Sequence, residues 1–136
     1  MKTYAFILLC LLAVTASNAQ VTDLTGTWTM FEMAYVSSQG TQKMTEAEMK
    51  ANGSVTDYFF MEEGKFKMTS NMSGSGTLDT YEGAWKFAEN KLTITLKINE
   101  RVMDIVWGVE FKDNAMILSR TSPDGSMTIT NSFRKK

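Results

Sequence analysis

The 136-residue chain has no histidine, one proline and a single cysteine. That cysteine, Cys10, lies in an apolar run near the N-terminus, so the rest of the chain has no thiol and cannot form a disulfide. Without imidazole and thiol groups, this part of the chain has no histidine-based acid–base catalysis, cysteine nucleophile or His/Cys metal site. We expect no cofactor, no metal ion and no enzymatic activity.

The sequence also lacks an excess of charge of one sign, with 14 basic and 15 acidic residues. Nucleic-acid binding needs a basic face, so we expect no nucleic-acid partner. Carboxylates could still act in pairs, but Glu62 and Glu63 lie at a predicted turn, where a solvated pair is the usual outcome. Asp113 and Asp124 are likewise typical turn formers.

The N-terminal segment has the three parts of an export signal. Lys2 supplies the positive start, residues 5–14 are apolar, and Ser17-Asn18-Ala19 forms a cleavage site before Gln20. The apolar run is shorter than the roughly 20 residues that span a bilayer. We therefore predict a signal peptide at residues 1–19 and no membrane span. The mature domain, residues 20–136, would be periplasmic or secreted. The alternative is a buried N-terminal strand or helix.

The central part of the chain predicts an antiparallel meander. Apolar residues alternate from Leu92 to Ile98, with the same period before this run at residues 81–87 and after it at residues 103–111. A period of two is the pattern of a strand with one buried face. The connections at residues 88–91 and 99–100 are short, polar and compatible with tight turns.

The remaining segments extend this pattern to about eight strands. Thr45-Glu46-Ala47-Glu48 is a capping box that predicts a helix to about Asn52, with Gly53 after it. An open sheet of eight sequential strands would leave two bare edges, and closure removes both. We predict an all-β fold, an eight-stranded antiparallel up-and-down β-barrel with one short helix after the first strand. A two-layer sandwich is the alternative, but it needs longer crossovers.

Strand alternation also predicts which side chains face the barrel interior. In the first strand, Glu32 shares the face of Trp28 and Met30, while Phe31, Met33 and Tyr35 share the other. The predicted inward apolar set is Trp28, Met30, Phe66, Met68, Tyr81, Trp85, Leu92, Ile94, Leu96, Met103, Ile105, Trp107, Met116, Leu118, Met127 and Ile129.

An eight-stranded barrel is either filled by its side chains or holds one small ligand. For the second case, the predicted ligand-binding residues are Met30, Glu32, Met68, Tyr81, Trp85, Trp107, Arg120 and Asn131. Three of them are polar at inward positions, and a buried charge is costly unless it is paired. We expect Arg120 near the barrel mouth, where it pairs with Glu32, receives a ligand carboxylate, or lies in water at a strand end.

The segment Gly26-Thr27-Trp28 at the start of the first strand resembles the Gly-x-Trp motif of the lipocalins and the wider calycin superfamily. Tyr81-Glu82-Gly83-Ala84-Trp85, followed by Asn90-Lys91-Leu92, is similar to the lipocalin-like domains of exported Bacteroidetes proteins. The resemblance implies that Trp28 packs across the closed barrel end beneath a basic side chain. Arg134 is the nearest match, although alternation from Met127 points it outward. The early helix and the missing disulfide depart from the lipocalin pattern.

The resemblance further implies an exported protein that binds a small hydrophobic ligand in the barrel interior. The alternative is a non-enzymatic protein-interaction module with a filled barrel core, which would meet a partner or a second copy through Phe31, Met33 and Tyr35. The sequence does not specify an oligomeric state.

Overall fold

A computed structural model describes residues 24–136, and the predicted signal peptide lies outside them. The strands in this part of the chain are β1 (Gly26–Ser37), β2 (Gly40–Met44), β3 (Thr56–Phe60), β4 (Lys65–Ser70), β5 (Asp79–Ala88), β6 (Lys91–Ile98), β7 (Arg101–Lys112), β8 (Ala115–Thr121) and β9 (Met127–Lys135). A short helix, α1 (Glu46–Ala51), precedes β3, and a 3-10 turn (Glu62–Gly64) joins β3 to β4.

The strands close into a ring. Each strand from β3 to β9 is antiparallel to the next, and β1 pairs with both β3 and β9. The predicted eight-stranded up-and-down barrel is therefore confirmed. The additional strand β2 forms a hairpin with the C-terminal half of β1, with Met33 opposite Met44. This hairpin separates the first strand from helix α1.

The three hairpins that join β5 to β8 have two-residue turns. A type I′ turn needs a positive φ at both central residues, and its twist matches that of the flanking strands. All six residues meet this condition, namely Glu89 (54°), Asn90 (59°), Asn99 (49°), Glu100 (66°), Asp113 (51°) and Asn114 (62°). The predicted meander and its turns are thus confirmed.

Helix α1 begins at the predicted capping box. The Thr45 backbone N–H donates to Glu48 Oε2 at 2.7 Å, and the Glu48 N–H donates to Thr45 Oγ1 at 3.3 Å. Six residues are too few for a stable isolated helix, so tertiary contacts must hold it. Met49 supplies a buried apolar contact, and Glu46 Oε2 accepts from Arg134 Nη1 at 2.8 Å.

The first strand contains a β-bulge between Met30 and Glu32. Met30 is opposite Phe133, but Glu32 is opposite Ser132, so β1 has one residue more than β9 at this point. An extra residue reverses which side chains face inward. Glu32 consequently lies on the outer face, with Oε2 3.0 Å from Lys43 Nζ. The prediction that Glu32 lines the interior is therefore wrong, and the alternative in which it pairs with Arg120 is excluded.

The same bulge turns Met33 and Tyr35 into the barrel. Met33 lies opposite Asn131 and Tyr35 opposite Ile129, both on the inner face of β9. The prediction that Met33 and Tyr35 share the outer face with Phe31 is therefore wrong. Phe31 stays outside, where the Arg134 guanidinium lies 3.9 Å from its ring centroid.

Candidate functional site

One barrel end, where β1 begins, is closed by Trp28. The indole is buried, and its Nε1–H donates to the Leu24 carbonyl at 2.8 Å. Its ring centroid is 6.3 Å from that of Phe111. These contacts hold Trp28 across this end of the barrel.

The basic residue at this end is Lys135, with Nζ 5.6 Å from the Trp28 ring centroid. Lys135 is directly opposite Trp28 in the β1–β9 ladder, whereas Arg134 is opposite Thr29 and faces outward. The prediction that Arg134 covers the indole is wrong, because no bulge in β9 turns it inward. A Cβ at Gly26 would lie 2.9 Å from Lys135 Cε, so glycine at this position leaves room for the lysine.

Aromatic side chains fill the interior above Trp28. The Tyr58 ring lies 4.5 Å from that of Phe133 and 5.2 Å from that of Phe66, measured between centroids. Phe60 joins the same group and also contacts Trp85 at 5.5 Å. The spacings match those of favourable aromatic pairs. This half of the barrel is a packed core.

The opposite end of the barrel, where β1 ends and β9 begins, contains hollows. One of about 320 Å³ is bordered by Tyr35, Gln42 and Met127. A smaller one of about 180 Å³ is bordered by Met33, Met44 and the same tyrosine. The volume of the larger hollow lies in the range of small-molecule sites. We call this end the open end.

A slit in the barrel wall opens beside these hollows. β7 pairs with β8 only from Gly108 to Lys112, while residues 101–107 pair with β6 alone. A groove of about 390 Å³ follows the slit, and its lining includes Arg120, Met127 and Ile129. Met127 borders both the groove and the larger hollow, so the two spaces adjoin.

Arg120 borders this slit near the end of β8, and its side chain is exposed. It is opposite Ile129 on β9, and its guanidinium carbon is 5.2 Å from the Trp107 ring centroid. The geometry is that of a cation stacked on an indole face. Trp107 is buried and opposite Leu92, so this stack forms part of the inner wall.

Asn131 and Tyr58 are two buried residues with polar groups. The Tyr58 ring belongs to the aromatic core, and Asn131 lies two residues before Phe133, on the side of the open end. Asn131 is 6% exposed, and its Oδ1 has no hydrogen-bond partner within residues 24–136. Burial raises the pKa of the Tyr58 hydroxyl to about 12, and the positive charge of Arg120 partly offsets that rise. The Tyr58 hydroxyl therefore stays neutral at physiological pH, although the positive charge of Arg120 favours its ionised form.

The family of the chain follows from a comparison of its sequence with models of known families. The model of the lipocalin-like domain matches residues 24–118, which is more than half of the chain. The chain belongs to the lipocalin-like family. No curated protein matches this lipocalin-like protein in sequence.

Two solved structures show the same fold as this lipocalin-like protein. A lipocalin-like protein from Bacteroides uniformis is 21% identical, with a TM-score of 0.54 over 84% of this chain and 99% of that chain. An uncharacterized protein from Bacteroides eggerthii is 20% identical, with a TM-score of 0.53 over 82% of this chain and 98% of that chain.

The other predicted ligand-binding residues lie at inward positions but do not border the hollows of the open end. Met30 is buried opposite Phe133 in the packed half of this lipocalin-like barrel. Met68 and Tyr81 face each other across β4 and β5 and are half-buried. The Trp85 indole N–H donates to the Met61 carbonyl at 2.9 Å, near the closed end. The structure places Arg120 on Trp107 and puts Asn131 at the diagonal ladder position from Arg120, whereas these four residues lie elsewhere in the barrel.

Several residues of the open end were absent from the predicted set. Met33 and Tyr35 were missed because the bulge has no clear sequence signal. Tyr58 was missed because residues 58–61 are apolar or aromatic in a row, which hides the strand's inner face. The polar neighbour Asp57 carries the period-two signal that could have identified Tyr58, because adjacent residues of a strand face opposite sides.

Two further findings describe what residues 24–136 of this lipocalin-like protein do not contain. No helix in this part combines the length and the apolar character needed to cross a bilayer. Within the same range, no three His, Cys, Asp or Glu side chains form a group that could hold a metal ion.

Proposed function

We propose that this lipocalin-like protein binds a small hydrophobic molecule in the open half of its barrel and catalyses no reaction. The observation that carries the proposal is that apolar side chains on the inner face of the barrel are exposed to solvent. Met103 is opposite the buried Leu96, yet it is 45% exposed, and the inward Met127 is 37% exposed. A ligand that covers such surface gains about 25 cal/mol for each Å² removed from water.

The placement of the carboxylates supports binding without catalysis. Glu62 and Glu63 are exposed in the turn between β3 and β4, at the closed end. The buried carboxylate of Asp57 accepts from Thr29 Oγ1 at 2.7 Å and lies 3.0 Å from Lys136 Nζ. These contacts hold Asp57 on the outer face, since Thr29 and Asp57 are opposite each other there.

Two neighbouring residues of β7 provide a matched test. Met103→Glu places a charge on the inner face at the open end, and Val102→Glu places the same charge on the outer face, where Val102 is 68% exposed. Both sites are exposed, so neither change should prevent folding. We expect Met103→Glu to weaken binding of the neutral dye Nile red at least about tenfold, since burying an unpaired charge is costly. Val102→Glu should leave dye binding unchanged.

Dye fluorescence should be accompanied by native mass spectrometry of the wild-type protein mixed with a lipid extract. A retained small molecule that Met103→Glu no longer retains would support the proposal. If the wild-type protein binds neither the dye nor any extract component, binding in the barrel is refuted. Equal weakening by Met103→Glu and Val102→Glu would place the binding surface outside the barrel.

We also propose that the protein is exported. The proposal is supported by Lys2, the apolar residues 5–14 and the small-residue cleavage site before Gln20. Mass spectrometry of the protein recovered from periplasm and medium should show an N-terminus at Gln20. Full-length protein that retains residues 1–19 and stays in the cytoplasm would contradict this proposal.

A protein-interaction role is the second candidate, and the outer face of β7 favours it. Val102 and Val106 are both exposed there, beside the strand edge that has no partner in residues 101–107. Exposed apolar strand edges tend to pair with other chains. Light scattering should then show self-association that Val102→Glu weakens. A wild-type protein that is monomeric at every concentration would rule out pairing between copies.

A further inference from the structure

The guanidinium of Arg120 is available to a ligand at the open end. It forms no ion pair with a carboxylate in residues 24–136, where the cations in ion pairs are Lys43, Lys50, Arg134 and Lys136. The one carboxylate in the groove lining is Asp104, and it accepts a hydrogen bond from Thr95 Oγ1 at 2.7 Å. Arg120 instead stacks on Trp107, which fixes its position.

The amide of Asn131 needs a hydrogen-bond donor. Its Oδ1 is buried and has no partner among the described residues, a state that native proteins rarely tolerate without a ligand or an ordered water. Asn131 is opposite Leu118 and Arg120 is opposite Ile129, so the two polar residues are diagonal neighbours on the inner face of β8 and β9. Long side chains reach each other across such a diagonal.

The surroundings define the chemistry that these two residues select. Phe133, two residues after Asn131 on the inner face of β9, packs against the Tyr58 ring, so an apolar surface lies next to them. Beside them, Met127 and Ile129 line the groove. A ligand whose anionic group binds Arg120 therefore places the rest of the molecule against apolar side chains of the protein. A donor on the same molecule would satisfy the Asn131 oxygen.

We propose that Arg120 and Asn131 form a head-group subsite, and that the barrel takes an apolar carboxylic acid with a hydroxyl group close to its carboxylate. The carboxylate binds the Arg120 guanidinium, and the hydroxyl donates to Asn131 Oδ1. The alkyl body covers Met127 and Ile129. The proposal rests on the proposed function of the barrel as a binder, and it names the ligand class.

Three probes of equal chain length measure the carboxylate contact with Arg120 and the hydroxyl contact with Asn131 separately. Decanoate, 3-hydroxydecanoate and decan-1-ol are competed against Nile red, after the dye affinity of each variant has been measured. We expect decanoate to bind about 10- to 100-fold more tightly than decan-1-ol, since a hydrogen-bonded charge is worth that much. The 3-hydroxy acid should bind about threefold to tenfold more tightly than decanoate, the gain from one neutral hydrogen bond.

Variants assign each preference to its residue. Arg120→Met should abolish the preference for decanoate over the alcohol, and Arg120→Lys should restore part of it because the charge is kept. Asn131→Leu should abolish the preference for the hydroxy acid, and it should not lower the unfolding midpoint, because it removes an unpartnered buried oxygen. Lys97→Met is the charge-matched control, since Lys97 is exposed and opposite Val102 on the outer face.

The outcomes distinguish failure of the subsite from failure of the proposed function. If the acid and the alcohol bind the wild-type protein equally, or if Arg120→Met keeps the acid preference, the subsite is wrong while binding in the barrel stands. A loss of the same size in Lys97→Met would attribute the preference to net charge and would also overturn the subsite. If none of the three probes displaces Nile red, the subsite is wrong while binding in the barrel stands. If the wild-type protein binds neither the probes, the dye nor any extract component, both proposals fail.

Discussion

Gly83 is the position where one added methyl group tests the packing of the barrel wall. It lies in β5 opposite Leu96 of β6. A Cβ at Gly83 would overlap the Thr95 carbonyl oxygen and lie 2.9 Å from the Thr95 carbonyl carbon. Both are backbone atoms, so they cannot rotate away as the end of a side chain could. Gly83→Ala must therefore push β5 and β6 apart.

The expected cost follows from two opposing effects. Overpacking of this kind destabilises a protein by about 1–3 kcal/mol. Alanine also restricts the unfolded chain more than glycine does, which stabilises the fold by about 0.4–1 kcal/mol. The steric effect dominates, because the clash leaves no room at all. We expect a net loss of about 1–2 kcal/mol, or more if ladder hydrogen bonds between β5 and β6 break at about 1 kcal/mol each.

Urea unfolding followed by tryptophan fluorescence measures this loss, and Gly108→Ala is the matched control. A Cβ at Gly108 would lie 3.6 Å from the Ser119 carbonyl oxygen, an ordinary contact in another strand of the same barrel. Gly108→Ala should be neutral or stabilising by up to about 1 kcal/mol. The reasoning is refuted if Gly83→Ala unfolds at the wild-type urea concentration, or if both variants lose the same stability.

The remaining predictions concern the closed end, the helix and one turn. Trp28→Phe should cost about 1–3 kcal/mol in urea unfolding, because the buried Leu24 carbonyl loses the donor that lies 2.8 Å away; wild-type stability would contradict this. Thr45→Ala should cost about 1 kcal/mol through loss of the helix cap, and Thr45→Ser should recover most of it. The pKa of the Asp124 carboxyl should be about 2 rather than 3.8, because the Ser122 hydroxyl and other donors in its turn stabilise the carboxylate. Stability that this group contributes above pH 3.8 is thus lost as the pH falls through about 2. An NMR titration that places its midpoint near 3.8 would contradict the hydrogen-bonded turn.

Local patterns in the sequence were sufficient to predict the barrel and the turns that connect its strands. The alternation from Leu92 to Ile98 is a property of neighbouring residues, as are the two-residue turns and the Thr45 capping box, and the structure confirms all three. Trp28 at the closed end was also predictable, because Gly-x-Trp resembles a known family motif. Each of these features depends on residues within a few positions of one another.

Tertiary structure decided which residues meet at the open end. Glu32 faces outward and Tyr35 faces inward because β1 has one residue more than β9 at the bulge, and this depends on a partner strand about 100 residues away in the chain. The cation at the Trp28 indole is Lys135 rather than Arg134 because the alternation of β9 from Met127 is unbroken, and the β1–β9 register then places Lys135 opposite Trp28. Strand period alone predicts alternation within a strand, but only pairing across the closed sheet determines which alternate face becomes the interior.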